Sequence, residues 1–150
     1  MTTVRVETLV HASPETCFDL ARDVDAHVAS TGRTRERAVA GVTTGMLNNG
    51  DTVTFEAVHF GVKQRLTSEI VEFDRPHFFI DQMVRGAFRR LRHEHRFEPH
   101  ESGTLMVDVL EFESPFGPFG RLIDRLVLEA YMTRFIVARG LELKKLAETK

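Results

Sequence analysis

The chain has 150 residues, a single cysteine and a formal net charge of −2. That length suits one domain with a full core. The charge balance argues against a nucleic-acid partner, because a phosphate backbone demands a cationic surplus. The lone Cys17 leaves no intrachain disulfide, and its apolar helical neighbours predict an inert buried thiol. Twelve Phe, one Tyr and no Trp bring apolar area with few polar handles, which suits a wide, greasy interior. The N-terminus lacks the basic-then-apolar pattern of a secretory leader. No apolar run approaches the ~20 residues of a membrane span. The expectation is a soluble, cytoplasmic protein with no stable membrane insertion.

Residues 3–12 alternate, with Val4, Val6, Leu9 and Val10, and predict a strand. Ser13 and Pro14 then form an N-cap and first turn for a short helix over 14–22. A second short helix is predicted over 24–29. Six further strands are predicted over 35–42, 52–60, 62–73, 77–85, 89–98 and 104–113. Asn48-Asn49-Gly50-Asp51 signals a hairpin turn, and Asp74-Arg75-Pro76 another. Pro115, Gly117, Pro118 and Gly120 stop the last strand. Residues 121–147 carry strong helix formers and predict a helix about 40 Å long. The order describes an α+β fold: a curved, seven-stranded antiparallel sheet, two short helices after its first strand, and a long C-terminal helix within its curve.

The hairpin over 85–112 carries the most information. Leu91, His93, His95 and Phe97 share one face of its first strand, and five charges share the other. If the hairpin turns at about Pro99 to Thr104, the pairing sets His95 opposite Asp108, Phe97 opposite Met106, His93 opposite Leu110 and Leu91 opposite Phe112. Directly opposed side chains lie about 5 Å apart, so His95 and Asp108 could share a hydrogen bond that raises the His pKa. Buried polar groups need partners. The cluster is therefore either a satisfied bracing network or the polar wall of a cavity. The preceding strand reads equally well with Phe78, Ile80, Gln82 and Val84 inward, or with Phe79, Asp81 and Met83 inward. In the first case Gln82 could meet His93, and a bulge near Gly86 could change the answer.

Four segments resemble the START-like (SRPBCC) superfamily: GDTVTFEAVHFGV (50–62), RGAFRRLRHEHRFEP (85–99), GTLMVDVLEF (103–112) and SPFGPFGRLIDRLVLEAYM (114–132). Its bacterial polyketide cyclase/dehydrase-like members are the nearest match, and the coenzyme-Q-binding START proteins are more distant. The resemblance covers essentially the whole chain and implies a helix-grip fold with a cavity for an apolar or aromatic ligand. It names no ligand, and fold alone supplies no activity.

The expected partner is thus a small hydrophobic ligand: a lipid, polyketide, quinone or aromatic compound. Phe55, Phe97, Met106, Leu110 and Phe112 would wall the cavity, and His93, His95 and Asp108 would anchor one polar group, with Gln82 and Arg134 as further contacts. An alternative is a cyclase/dehydratase-type enzyme with His95 as acid/base and Asp108 as its orienter. A third reading is an interaction module with a collapsed cavity. His93-x-His95 with His59 or Asp108 offers three metal donors but no evident fourth, so neither metal nor cofactor is expected. Phe116 and Phe119 would form a lid or pack against the helix start. The expected state is monomer or homodimer.

Overall fold

The computed structural model describes residues 1–149. Its strands are β1 (Thr2–Val10), β2 (Arg37–Gly41), β3 (Thr52–His59), β4 (Val62–Asp74), β5 (Phe78–Arg85), β6 (Arg90–His100) and β7 (Gly103–Glu113). They form one antiparallel sheet in the order β1-β7-β6-β5-β4-β3-β2. The chain's first strand therefore pairs with its last, Val6 lying opposite Asp108. β1 buries Val4, Val6, Thr8 and Val10 and turns Leu9 outward, as strict alternation requires.

Two short helices follow β1. In α1 (Pro14–Ala21) the Ser13 hydroxyl accepts from Thr16 N at 3.2 Å, and Pro14 opens the first turn, where no N–H is missed. In α2 (Val24–Ser30) the Asp23 carboxylate accepts from Asp25 N and Ala26 N. The C-terminal helix consists of α3 (Gly117–Ile123), a π-helical turn (Asp124–Leu128) and α4 (Glu129–Glu148). It starts four residues before the predicted point, because Pro118 sits in its first turn rather than blocking it. No helix among the described residues is long and apolar enough to cross a membrane.

The helix-grip architecture read from the sequence is the one observed, with local departures. Asp51 N donates to Asn48 O at 3.0 Å, so the expected turn forms. It closes an excursion over 42–51, however, within which Met46 bridges to Asp23. The β4–β5 register slips by one residue at Val71 and again at Val84, two residues from Gly86. Such bulges bend a sheet, and this one curls around α4. Gly140 lets α4 lie close on β1: a Cβ there would stand 2.8 Å from Thr8 Oγ1. Beneath α1, Phe18 meets Phe73, Phe79 and Phe97 edge-on at 5.2–5.3 Å. A second apolar cluster joins Leu110 and Phe112 to Ile136 of α4. Cys17 is buried, and burial raises its thiol pKa.

Candidate ligand-binding site

The β6–β7 register is the one the hairpin pattern predicts: Leu91–Phe112, His93–Leu110, His95–Asp108 and Phe97–Met106 are all opposed. The hydrogen bonds, however, run diagonally. His93 Nε2 donates to Asp108 Oδ1 at 2.8 Å. His95 Nε2 donates to Asp81 Oδ2 of β5 at 2.6 Å, and its Nδ1 stands 3.4 Å from Asp108 Oδ1. The two imidazoles stack with centroids 3.7 Å apart, and Phe79 stacks on the other face of His95 at 4.2 Å. Arg139 of α4 completes the cluster. Its Nη1 lies 3.7 Å from Asp108 Oδ1, its Nη2 donates to Ala21 O at 3.3 Å, and its Nε has no partner.

The charges sort themselves by position. Burial pushes His95 toward neutrality, but its bonds to Asp108 and Asp81 outweigh this, and its pKa is raised. Burial and the neighbouring His95 charge lower the His93 pKa, against the pull of Asp108. Burial opposes the charge on Asp81 and Asp108, yet their histidine partners hold both carboxyls below the usual range. The cluster thus sets two carboxylates against His95, which holds its proton more tightly than usual, and the Arg139 guanidinium, while His93 is biased toward the neutral form.

A pH signature follows from linkage. The raised His95 pKa stabilises the fold fully below the ordinary His value, and that contribution is lost as pH rises through the folded value. His93 acts oppositely, costing stability as pH falls below its ordinary value. The carboxylates contribute above the ordinary Asp value, and their contribution is lost as pH falls through the folded values. Urea unfolding from the ordinary His value upward into alkaline pH should therefore show a decline in the wild type that His95→Gln flattens. Parallel curves for the two proteins would show that His95 carries no extra proton.

A cavity of about 110 Å³ lies between this cluster and α4. Phe55, Phe79, Leu110, Met132, Phe135 and Ile136 supply apolar wall, and His93, His95, Asp81 and Arg139 supply a polar side. Asp81 keeps 26% of its side chain accessible although protein surrounds it, as befits a group facing an internal space. Further along the lining, His27 stacks on Phe55 at 4.3 Å and bonds Glu36 at 3.0 Å. Thr34 also donates to Glu36. Glu36 is disfavoured as an anion by burial, but His27 and Thr34 hold its pKa low.

Of the residues expected at the cavity, Phe55, Leu110, His93 and His95 line it. Asp108, Phe97 and Met106 instead border a void of about 10 Å³ behind the network. Phe112 is fully buried in the second core cluster. Gln82 is exposed on the outer face, because β5 turns Phe79, Asp81 and Met83 inward; Asp81, not Gln82, opposes His93. Arg134 is also exposed, and Arg139 holds the inward place. A sequence signal for Arg139 exists: it falls between Ile136 and Leu143 at helical spacing on the buried stripe. Nothing in the pattern marks His27 or Glu36. Phe116 and Phe119 do not line the cavity and are 59% and 78% exposed, with Phe116 lying beside Gly120 of the first helical turn.

Donor atoms of Asp81, His93 and His95 lie within 4.8 Å of one another and form the best metal-binding set among the described residues. His59, a candidate ligand by sequence, bonds Tyr131 at 2.6 Å instead. The three donors are arranged as an ion pair beside a stacked ring. Asp81 already takes the His95 proton, and lone pairs on stacked rings run side by side rather than converging on one point.

A curved antiparallel sheet gripping a C-terminal helix, with a part-polar cavity between them, defines a START-like protein of the SRPBCC superfamily. The family model described as "Polyketide cyclase / dehydrase and lipid transport" matches residues 1–148. The chain belongs to that family. Among solved structures it is similar to the Zhui aromatase/cyclase from Streptomyces sp. R1128, at 17% identity and TM-score 0.78 over 98% of this chain and 93% of that one. TTHA0849 from Thermus thermophilus shares 22% identity at TM-score 0.75, covering 97% and 99% of the two chains. Ginseng major latex-like protein 151 from Panax ginseng shares 12% at TM-score 0.68, over 97% of each. At these identities the likeness is one of fold. No curated protein sequence matches the chain.

Proposed function

We propose that this protein binds a small, largely apolar molecule in the cavity between sheet and α4, with His93 and Asp81 as its polar anchor. One observation carries the reading: a network of charged and polar side chains is buried beside a cavity whose wall also includes Phe55, Phe79, Leu110, Phe135 and Ile136. Burying charges is costly even when they are paired, and bracing a sheet requires no cavity beside the brace. The anchor's chemistry favours a ligand that donates a hydrogen bond. Neutral His93 gives its Nε2 proton to Asp108, which leaves Nδ1 as an acceptor. Asp81 adds a second acceptor through its other oxygen. A hydroxyl or N–H on the ligand fits both.

At about 110 Å³ the cavity holds several waters or roughly one aromatic ring. Typical ligand pockets run to ~300–1,000 Å³, so a larger guest requires Met132 and Phe135 to move outward with the helix. Native mass spectrometry of gently purified protein tests the reading. A co-purified apolar compound is expected, and Ile136→Phe, which fills the cavity, should cut its occupancy at least tenfold. A protein that emerges empty and binds none of a panel of lipids, quinones and phenols would sink the proposal. The reading places the protein in the cytoplasm, where a lone reduced thiol such as Cys17 is at home.

Proton transfer is a second reading, and one observation favours it: the His93 and His95 imidazoles stack 3.7 Å apart at the cavity wall, each hydrogen-bonded to a carboxylate. Both nitrogens of His95 face carboxylates, so the acid/base role moves from His95 to His93. On an enolisable ligand, His93→Gln should weaken binding and abolish solvent deuterium exchange even at ligand concentrations that saturate the variant. Unchanged exchange would remove this reading alone.

A further inference from the structure

The first turns of the C-terminal helix present an apolar ridge to solvent. Phe119, Leu122 and Leu126 recur at helical spacing and are 78%, 58% and 70% exposed, while Gly120 and Asp124 on the other side turn inward. The β3–β4 hairpin tip reaches the same end of the molecule, with Phe60 and Val62 exposed and the Phe60 ring 4.5 Å from Tyr131. Monomers rarely leave a contiguous apolar patch of this kind bare.

The charges around the ridge select its cover. At this end of the sheet β5 runs out and β6 begins, and Arg89 N bonds Glu113 O at the end of β7. Arg85, Arg89 and Arg90 there, and Arg121 and Arg125 on the helix, are all exposed. Against these five stand Glu113, 3.8 Å from Arg89, Glu129 and the buried Asp124. The whole chain carries −2, so this end is cationic and the remainder acidic. Two-fold pairing of the face would set five arginines against five.

We propose that this end docks on an anionic lipid surface. Phe116, Phe119, Leu122 and Leu126 enter the boundary between headgroups and acyl chains, and the arginines lie at the phosphates. The segment rests on the membrane and does not cross it. The proposal stands whether or not the cavity holds a ligand.

Flotation with phospholipid vesicles tests it. The wild type should float with vesicles of equimolar phosphatidylcholine and phosphatidylglycerol, and at least tenfold less with phosphatidylcholine alone. The double variant Phe119→Glu/Leu126→Glu should lose binding tenfold or more with an unchanged thermal melt, since both side chains are exposed. Arg121→Gln/Arg125→Gln should weaken binding several-fold on the anionic vesicles. Absence of wild-type binding, or equal binding to both vesicle types, would overturn the proposal. So would a dimer in analytical ultracentrifugation that Phe119→Glu dissociates, because the ridge would then be a self-interface.

Discussion

Replacing Asp108 by alanine is expected to destabilise the protein by about 3–5 kcal/mol, the usual cost of stranding a buried charge. One oxygen of Asp108 receives His93 at 2.8 Å and lies 3.4 Å from His95 and 3.7 Å from Arg139. Without it, His95 keeps only Asp81, and the buried Arg139 guanidinium keeps only a backbone carbonyl. His95 should then lose its extra proton, so the variant should also lose the wild type's decline in stability toward alkaline pH. Denaturant unfolding at several pH values measures both effects. A loss below about 1 kcal/mol, typical of exposed ion pairs, would mean that water reaches the cluster and relieves it. Asp108→Asn separates charge from shape: it keeps the volume and one acceptor, and should fall between wild type and alanine.

Phe18→Ala should cost a similar amount, about 3–5 kcal/mol, through the cavity it leaves. Its ring is fully buried and meets three other rings edge-on. One of these, Phe79, is stacked on His95. The truncation therefore frees the floor on which the imidazole rests, and the effect should reach the site as well as the core. Thermal or urea unfolding gives the energy, and the His95 imidazole resonances report the second effect. Unmoved His95 resonances in a destabilised variant would show that the aromatic stack and the polar network are energetically separate.

These two residues also show where the sequence was legible. The β6–β7 register could be read because a two-residue turn and strict alternation leave one pairing that keeps every apolar side chain on one face. The bonding within that register could not be read. Side chains as long as histidine reach diagonal neighbours and the adjacent strand as readily as the residue opposite, so Asp81 and Asp108 divide the two histidines between them. The facing of β5 was hidden for a different reason. Ile80 is 2% exposed on the outer side of the sheet, so apolar residues occupy both faces and alternation loses its contrast. Arg139 was hidden by its own chemistry: an arginine on an apolar stripe ordinarily extends its charge to solvent, and here the neighbouring Asp108 carboxylate and the Ala21 carbonyl hold it inside.

The π-helical turn at Asp124–Leu128 also sets the rotational phase of everything before it. An unbroken α-helix would carry the inward stripe of Ile136 and Met132 back through Arg125 and Arg121, at 3.6 residues per turn. The wider turn advances the phase by about one residue, and Asp124 and Gly120 take the inward positions instead. Two guanidinium groups are thereby kept wet, and the sheet receives a glycine and a short carboxylate. Deleting one residue from that turn would swing the helix start by roughly 100° about its axis, burying the arginines. A single backbone irregularity thus acts as the key that orients the outer surface of the helix independently of its grip on the sheet.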